Sequence, residues 1–252
     1  MEYVEIQRAR RVVFWYAVVL LGCFVLAVIS VYSSHAHVSG GGGANGHENL
    51  SSFAGAAVFG ALIAATILAT GLNAEHATTA IIWTRPRSRE SIAWRYIAVD
   101  FTAIVAAYAI LLAFIFVGMA LFGVLQYVWF DAAKSLTVFL LGMGAAAMWY
   151  GLISVAAARV EGHGARFAAL SWAIFLILVL VTAAPVPALI HYLIVALNYL
   201  NPLAWLGNLG SSHSDGGNHV IPFAASIRAA GAWAIAIVAI VASVKLWSTR
   251  EA

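Results

Sequence analysis

The side chains with the widest chemical repertoire in this 252-residue chain are eight histidines, ten carboxylates, thirteen Lys and Arg and one cysteine. His35-x-His37, with His47, His213, His219 and Asp215, has donor types that hold zinc or copper. These residues lie in or beside two glycine-rich stretches, Ser39 to Gly46 and Gly207 to His219. Such stretches supply ligands but seldom preorganise them, so no metal site is expected. Cys23 stands alone in an apolar run, which excludes an internal disulfide and a cysteine-based metal cluster. No G-x-S-x-G or H-E-x-x-H pattern occurs. Neither lysine, Lys134 or Lys245, has the glycines of a phosphate loop, so this chain is not expected to bind ATP itself. Asp100 and Arg228 fall within apolar runs, where ionisable groups are costly. Arg95 is the sequence neighbour expected to partner Asp100, and Asp131 or Asp215 to meet Arg228 unless it snorkels outward. His191 and His76 do not form the facing pair that a membrane haem needs.

The densest charged interruption runs from Glu75 to Ala98 and carries Arg85, Arg87, Arg89, Glu90 and Arg95 around Pro86. It separates two long apolar runs. Overall, 63% of residues are hydrophobic and 9% charged, with mean hydropathy +0.94. Soluble domains are about a quarter charged, so an ordinary globular protein is excluded. The composition implies one membrane domain, 1–252, of the all-α integral class, because only helices and closed barrels satisfy the backbone in lipid. The alternating ten-residue strands of a barrel are absent.

Six runs have the roughly 17–25 residues needed to cross a bilayer core: 12–32, 53–72, 98–123, 135–158, 167–184 and 223–247. The first follows Arg8, Arg10 and Arg11 like a signal peptide, but it is long enough to span and is read as retained. With the N-terminus inside, eleven Lys and Arg fall on the cytoplasmic side and two, Lys134 and Arg228, on the other. By the positive-inside rule both termini are cytoplasmic. A seventh apolar run lies within 186–205, between Pro185 and Pro187 on one side and Asn201 and Pro202 on the other. It is short for a span and is expected to be an outer, re-entrant helical element before the sixth helix. Aromatics cluster near run ends, as in interfacial belts. Trp149 and Tyr150 lie within the fourth run instead, where they either line a passage or pack against neighbours. Ala56-xxx-Gly60, Ala61-xxx-Ala65 and Ala147-xxx-Gly151 predict close helix packing without naming the partner helix.

The stretch after the second run resembles the permease subunits of ABC type-two, exporter-like transporters. It has Glu75, a Thr78-Thr79-Ala80-Ile81-Ile82 turn, then Thr84-Arg85-Pro86-Arg87-Ser88-Arg89 leading to the next span. Asn201-Pro202-Leu203 before the last helix also resembles that family, although Thr78-Thr79 stands where Gly-Thr is usual. The resemblance implies six helices, with a cytoplasmic coupling helix between helices 2 and 3. It further implies a separate ABC ATPase carrying ATP and magnesium, a second permease copy or homologous permease, and a prokaryotic inner membrane. Glu75, Thr79, Arg85, Pro86, Arg87 and Arg89 would be the coupling residues, in which Pro86 ends the surface helix. A non-transporting anchor or assembly subunit, and a cofactor-binding redox subunit, are the competing classes.

Overall fold

The computed structural model describes residues 2–33, 48–70, 89–123, 125, 128–129, 132–157, 164–181, 187–206, 221 and 223–249. Eight helices run in the order α1 (Glu2–Ser33), α2 (Leu50–Ala69), α3 (Arg89–Leu121), α4 (Ala132–Ala157), α5 (Gly164–Val181), α6 (Ala188–Asn198), α7 (Pro202–Leu206) and α8 (Ala225–Ser248). A parallel pair of two-residue strands, β1 (Glu48–Asn49) and β2 (Val128–Trp129), joins the segments before α2 and α4.

Among the described residues, four helices are long and apolar enough to cross a membrane: Ile6–Leu26 of α1, all of α3, Ser135–Ala157 of α4, and α8. α2, α5 and α6 add the shorter apolar stretches Gly55–Ala69, Ala168–Leu178 and Ala188–Asn198. This is the fold expected of an all-α membrane protein.

Contacts give the helix directions. Asp100 of α3 meets Tyr150 of α4 while Tyr108 meets Phe139, so α3 and α4 are antiparallel. Val58 lies against Gly142 and Thr66 against Trp149, so α2 runs parallel to α4. α8 is also parallel to α4: Gly144 packs on Trp233, Gly151 on Ala239, and Ser154 bonds to Ser243. Arg8 meets Asp100 and Phe24 meets Phe114, which makes α1 parallel to α3. Trp149 of α4 packs on Trp172 and Phe175 of α5. One end of the bundle therefore holds the starts of α1 and α3 and the ends of α2, α4 and α8; it is called the near end below.

α4 is the hub. In its most apolar 18-residue window 78% of residues are buried, against 6% in that of α1. Small residues permit this. A Cβ added at Gly151 would lie 2.8 Å from the Ala239 Cβ, and one at Gly144 would lie 2.9 Å from the Trp233 ring. The Ala147-xxx-Gly151 spacing thus acquires its partner helix, α8, as small-xxx-small packing requires.

Two element limits differ from the hydropathy reading. The third helix begins at Arg89, nine residues before the apolar run starts at Ala98, so 89–98 is the first part of α3 and not a separate surface element. Arg and Glu are good helix formers, and an exposed polar face does not end a helix when no proline or glycine intervenes. At about 1.5 Å per residue α3 is about 50 Å long, well beyond a bilayer core of about 30 Å. α1 likewise begins at Glu2, ten residues ahead of the apolar run.

Candidate functional site

Among the described residues, buried polar contacts interrupt the apolar bundle toward both ends. At the near end Asp100, fully buried on α3, accepts from two other helices. Arg8 of α1 is ion-paired to its Oδ1. The Tyr150 hydroxyl of α4 donates to Oδ2 at 2.8 Å. The Arg8 guanidinium also lies 4.2 Å from the centre of the Tyr96 ring, a cation–π distance. A carboxylate removed from water needs both a counter-charge and hydrogen bonds to its remaining lone pairs, and here α1 supplies the first and α4 the second. The expectation that Arg95 would pair with Asp100 is corrected. Arg8, 92 residues away in sequence, occupies that place. Arg95 is five residues from Asp100, roughly 140° around the helix, and points elsewhere: its side chain is exposed.

Toward the other end, α6 passes into α7 through the tight turn Tyr199–Asn201. Pro187 precedes α6 with extended backbone angles, φ −54° and ψ 144°. Asn201 caps α7: its Oδ1 accepts the Leu203 N–H at 3.0 Å, while Pro202 fills the first helical position, where no N–H is needed. The Asn201 amide donates to the Phe175 carbonyl of α5 at 3.1 Å and to Asn198 Oδ1 at 3.0 Å. Asn198 and Asn201 are both fully buried. Trp205 bonds through its indole to the Tyr199 carbonyl at 2.9 Å, and its ring fills the notch at Gly231 of α8. Arg228, buried on α8, donates to the Trp205 carbonyl at 3.1 Å. It therefore caps the end of α7 and turns inward, contrary to an outward snorkel; Asp131 and Asp215 lie outside the described residues. α7 sits in one buried cluster with Ala147 and Met148 of α4 and Ala232 and Ala236 of α8, well inside the bundle. Replacing Asn201 by Ala removes the cap and both amide bonds. We expect a loss of about 1–3 kcal/mol, measured as a lower thermal midpoint in detergent micelles, whereas an unchanged midpoint would mean that α7 holds without its cap.

Trp149 and Tyr150 are both buried between helices. The Trp149 indole donates to Thr66 Oγ1 at 2.8 Å and its ring packs edge-on against Trp172 and Phe175. Trp172 donates to the same oxygen at 2.9 Å, and Thr66 itself donates to the Leu62 carbonyl at 2.8 Å. One hydroxyl thus uses its donor and both lone pairs.

Of the coupling residues, Arg89 opens α3 and is half-buried. Glu75, Thr79, Arg85, Pro86 and Arg87 lie outside the described residues, as do Pro185, His76 and the five histidines of the glycine-rich stretches. His191 is exposed on α6 beside Tyr192. No cluster of three metal-ligating side chains occurs among the described residues. Reading the residues in sequence missed the roles of Arg8, Thr66 and Asn198. For Asn198 a signal was present: two asparagines three apart at the end of an apolar run, followed by Pro, mark one helix ending and another being capped. Comparison with protein-family models, with curated proteins and with solved structures finds no match to this chain.

Proposed function

We propose that this chain is the membrane-spanning permease subunit of an ATP-driven ABC exporter, working with a separate ATPase and a second permease copy. The observation that carries the reading is the short element before the last helix: α6 and α7 are too short to span, and Trp205 lies wedged against Gly231 of α8. In this reading α6 and α7 make no net crossing between a fifth and a sixth span. A re-entrant hairpin between a fifth and a sixth span is what the resemblance of Asn201-Pro202-Leu203 implies. In this reading α1 to α5 and α8 are the six spans. The near end, with Arg8, Arg10, Arg11, Arg89 and Arg95, faces the cytoplasm by the positive-inside rule. The Glu75–Arg89 stretch then joins α2 to α3 on the side where an ATPase docks, and rigid-body rocking of helices would alternate access.

The test is reconstitution with an ATPase subunit of the ABC type. Nucleotide hydrolysis is expected to rise when the permease is present, and the double variant Glu75→Ala, Pro86→Ala is expected to lose most of that rise while still reaching the membrane. Co-purification with membrane subunits alone, with no response of any ATPase, would favour the anchor reading.

A further inference from the structure

We infer that α1 is a detachable helix and that Arg8–Asp100 is the latch holding its near end to the bundle. This rests on the packing and stands whether or not the chain transports anything.

α1 meets the bundle at three rungs, eight residues apart. Arg8 pairs with Asp100 and lies over Tyr96. The Tyr16 phenol enters the notch left by the missing side chain of Gly60 on α2. Phe24 packs on Phe114 and over Gly118 of α3, where an added Cβ would meet its ring at 3.3 Å. Between the first two rungs Ala9, Val12 and Val13 add apolar contact with the core, while Phe14, Trp15, Val18, Val19, Leu21, Val25, Leu26 and Ile29 are all exposed. Hydrocarbon tails solvate such a surface as well as another helix does, so apolar contact alone gives α1 little reason to stay against its neighbours. The two aromatic rungs can be exchanged for lipid at small cost. The charged rung is different, because Asp100 has no access to water and a lipid tail cannot replace the guanidinium paired with it. Arg8 differs from Asp100 in this respect, since 22% of its side chain is exposed. It can withdraw to the surface as the helix leaves, and any group that competes for Arg8 or neutralises Asp100 releases the near end of α1. Asp100 stays on α3 with its bond to Tyr150, so the rest of the bundle is unchanged by the release.

The experiment places spin labels at exposed positions in a protein whose Cys23 is replaced by Ala, reconstituted in lipid nanodiscs. One pair, Ile6→Cys with Ala98→Cys, spans the near ends of α1 and α3; a second, Ile63→Cys with Leu140→Cys, spans α2 and α4 as control. The neutral variant Arg8→Ala, Asp100→Asn removes the latch without stranding a buried charge. It is expected to add a longer near-end distance in at least a third of molecules while the control pair keeps its native distance. Arg8→Gln, which retains a donor toward Asp100 but no charge, is the milder version should the double variant not fold, and it is expected to add a smaller long-distance population. A single native near-end distance in these variants would overturn the inference. So would broadening of the control pair, because the ion pair would then hold the whole bundle and not α1 alone.

Discussion

Trp149→Ala is expected to lower the stability of the bundle by about 3–5 kcal/mol, the usual range when a large aromatic is removed from a packed interior. Three changes add up at this position. The ring leaves a void among Thr66, Trp172 and Phe175, with which it is in contact. Its edge-on contacts with both aromatics are lost, each of which adds about 0.5–1.5 kcal/mol beyond area burial. Thr66 also loses one of two indole donors, although Trp172 continues to satisfy it. Trp149→Phe isolates the last effect and is expected to cost about 1 kcal/mol. Thermal unfolding in detergent micelles, read by circular dichroism, measures both. The comparison also separates the two readings of Trp149. A side chain lining a wet passage would be removed with little effect on the midpoint and a large effect on what passes; one at the junction of α2, α4 and α5 destabilises first.

Thr66 completes that argument from the opposite side. Thr66→Val keeps the shape of the side chain and takes away the acceptor of two indole N–H groups, those of buried Trp149 and half-buried Trp172. Each unsatisfied donor costs about 1–3 kcal/mol, so this small change is expected to rival the tryptophan truncation.

The helices were legible because lipid leaves the backbone no alternative, and long apolar runs with few charges mark them. Their ends were less so. Arg89 to Ile97 reads as a surface segment by hydropathy, yet it is the start of α3, since charge on an exposed face carries no stop signal. The short element after Pro187 was visible from its length and its flanking prolines, and Asn201-Pro202 is a cap that can be recognised on sight. The polar pairings were not. Arg8 and Asp100 are 92 residues apart, and Arg95 attracted the assignment by nearness in sequence although five residues of helix turn it away. Thr66 gave no sign, because a lone threonine in an apolar helix normally bonds to the carbonyl four residues back, as this one also does. What joins two helices depends on which faces meet, and small-residue spacing predicts closeness without naming the partner.

The closeness itself gives the other large effect. Gly151 faces α8 at a point where an added Cβ would be 2.8 Å from the Ala239 Cβ, 3.2 Å from the Ile240 nitrogen and 3.3 Å from the Ala239 carbonyl carbon. Two of those three atoms are backbone, so no side-chain rotation relieves the clash. The helices must separate, and the separation extends along a parallel pair that also carries the Gly144–Trp233 contact and the Ser243–Ser154 hydrogen bond at 2.9 Å. Overpacking typically costs about 1–3 kcal/mol. Gly151→Ala is expected to reach the upper part of that range, and Gly151→Leu to prevent a folded monomer from accumulating in the membrane fraction. The control is Gly22 in α1, where an added Cβ meets nothing within 4 Å. Gly22→Ala is expected to raise the midpoint slightly, by the roughly 0.5–1 kcal/mol that separates alanine from glycine in a helix. If both glycines tolerate alanine equally, α4 and α8 are not in backbone contact at Gly151. The parallel pairing that returns α8 to the near end would then lose its main support, and with it the proposal that α6 and α7 make no net crossing.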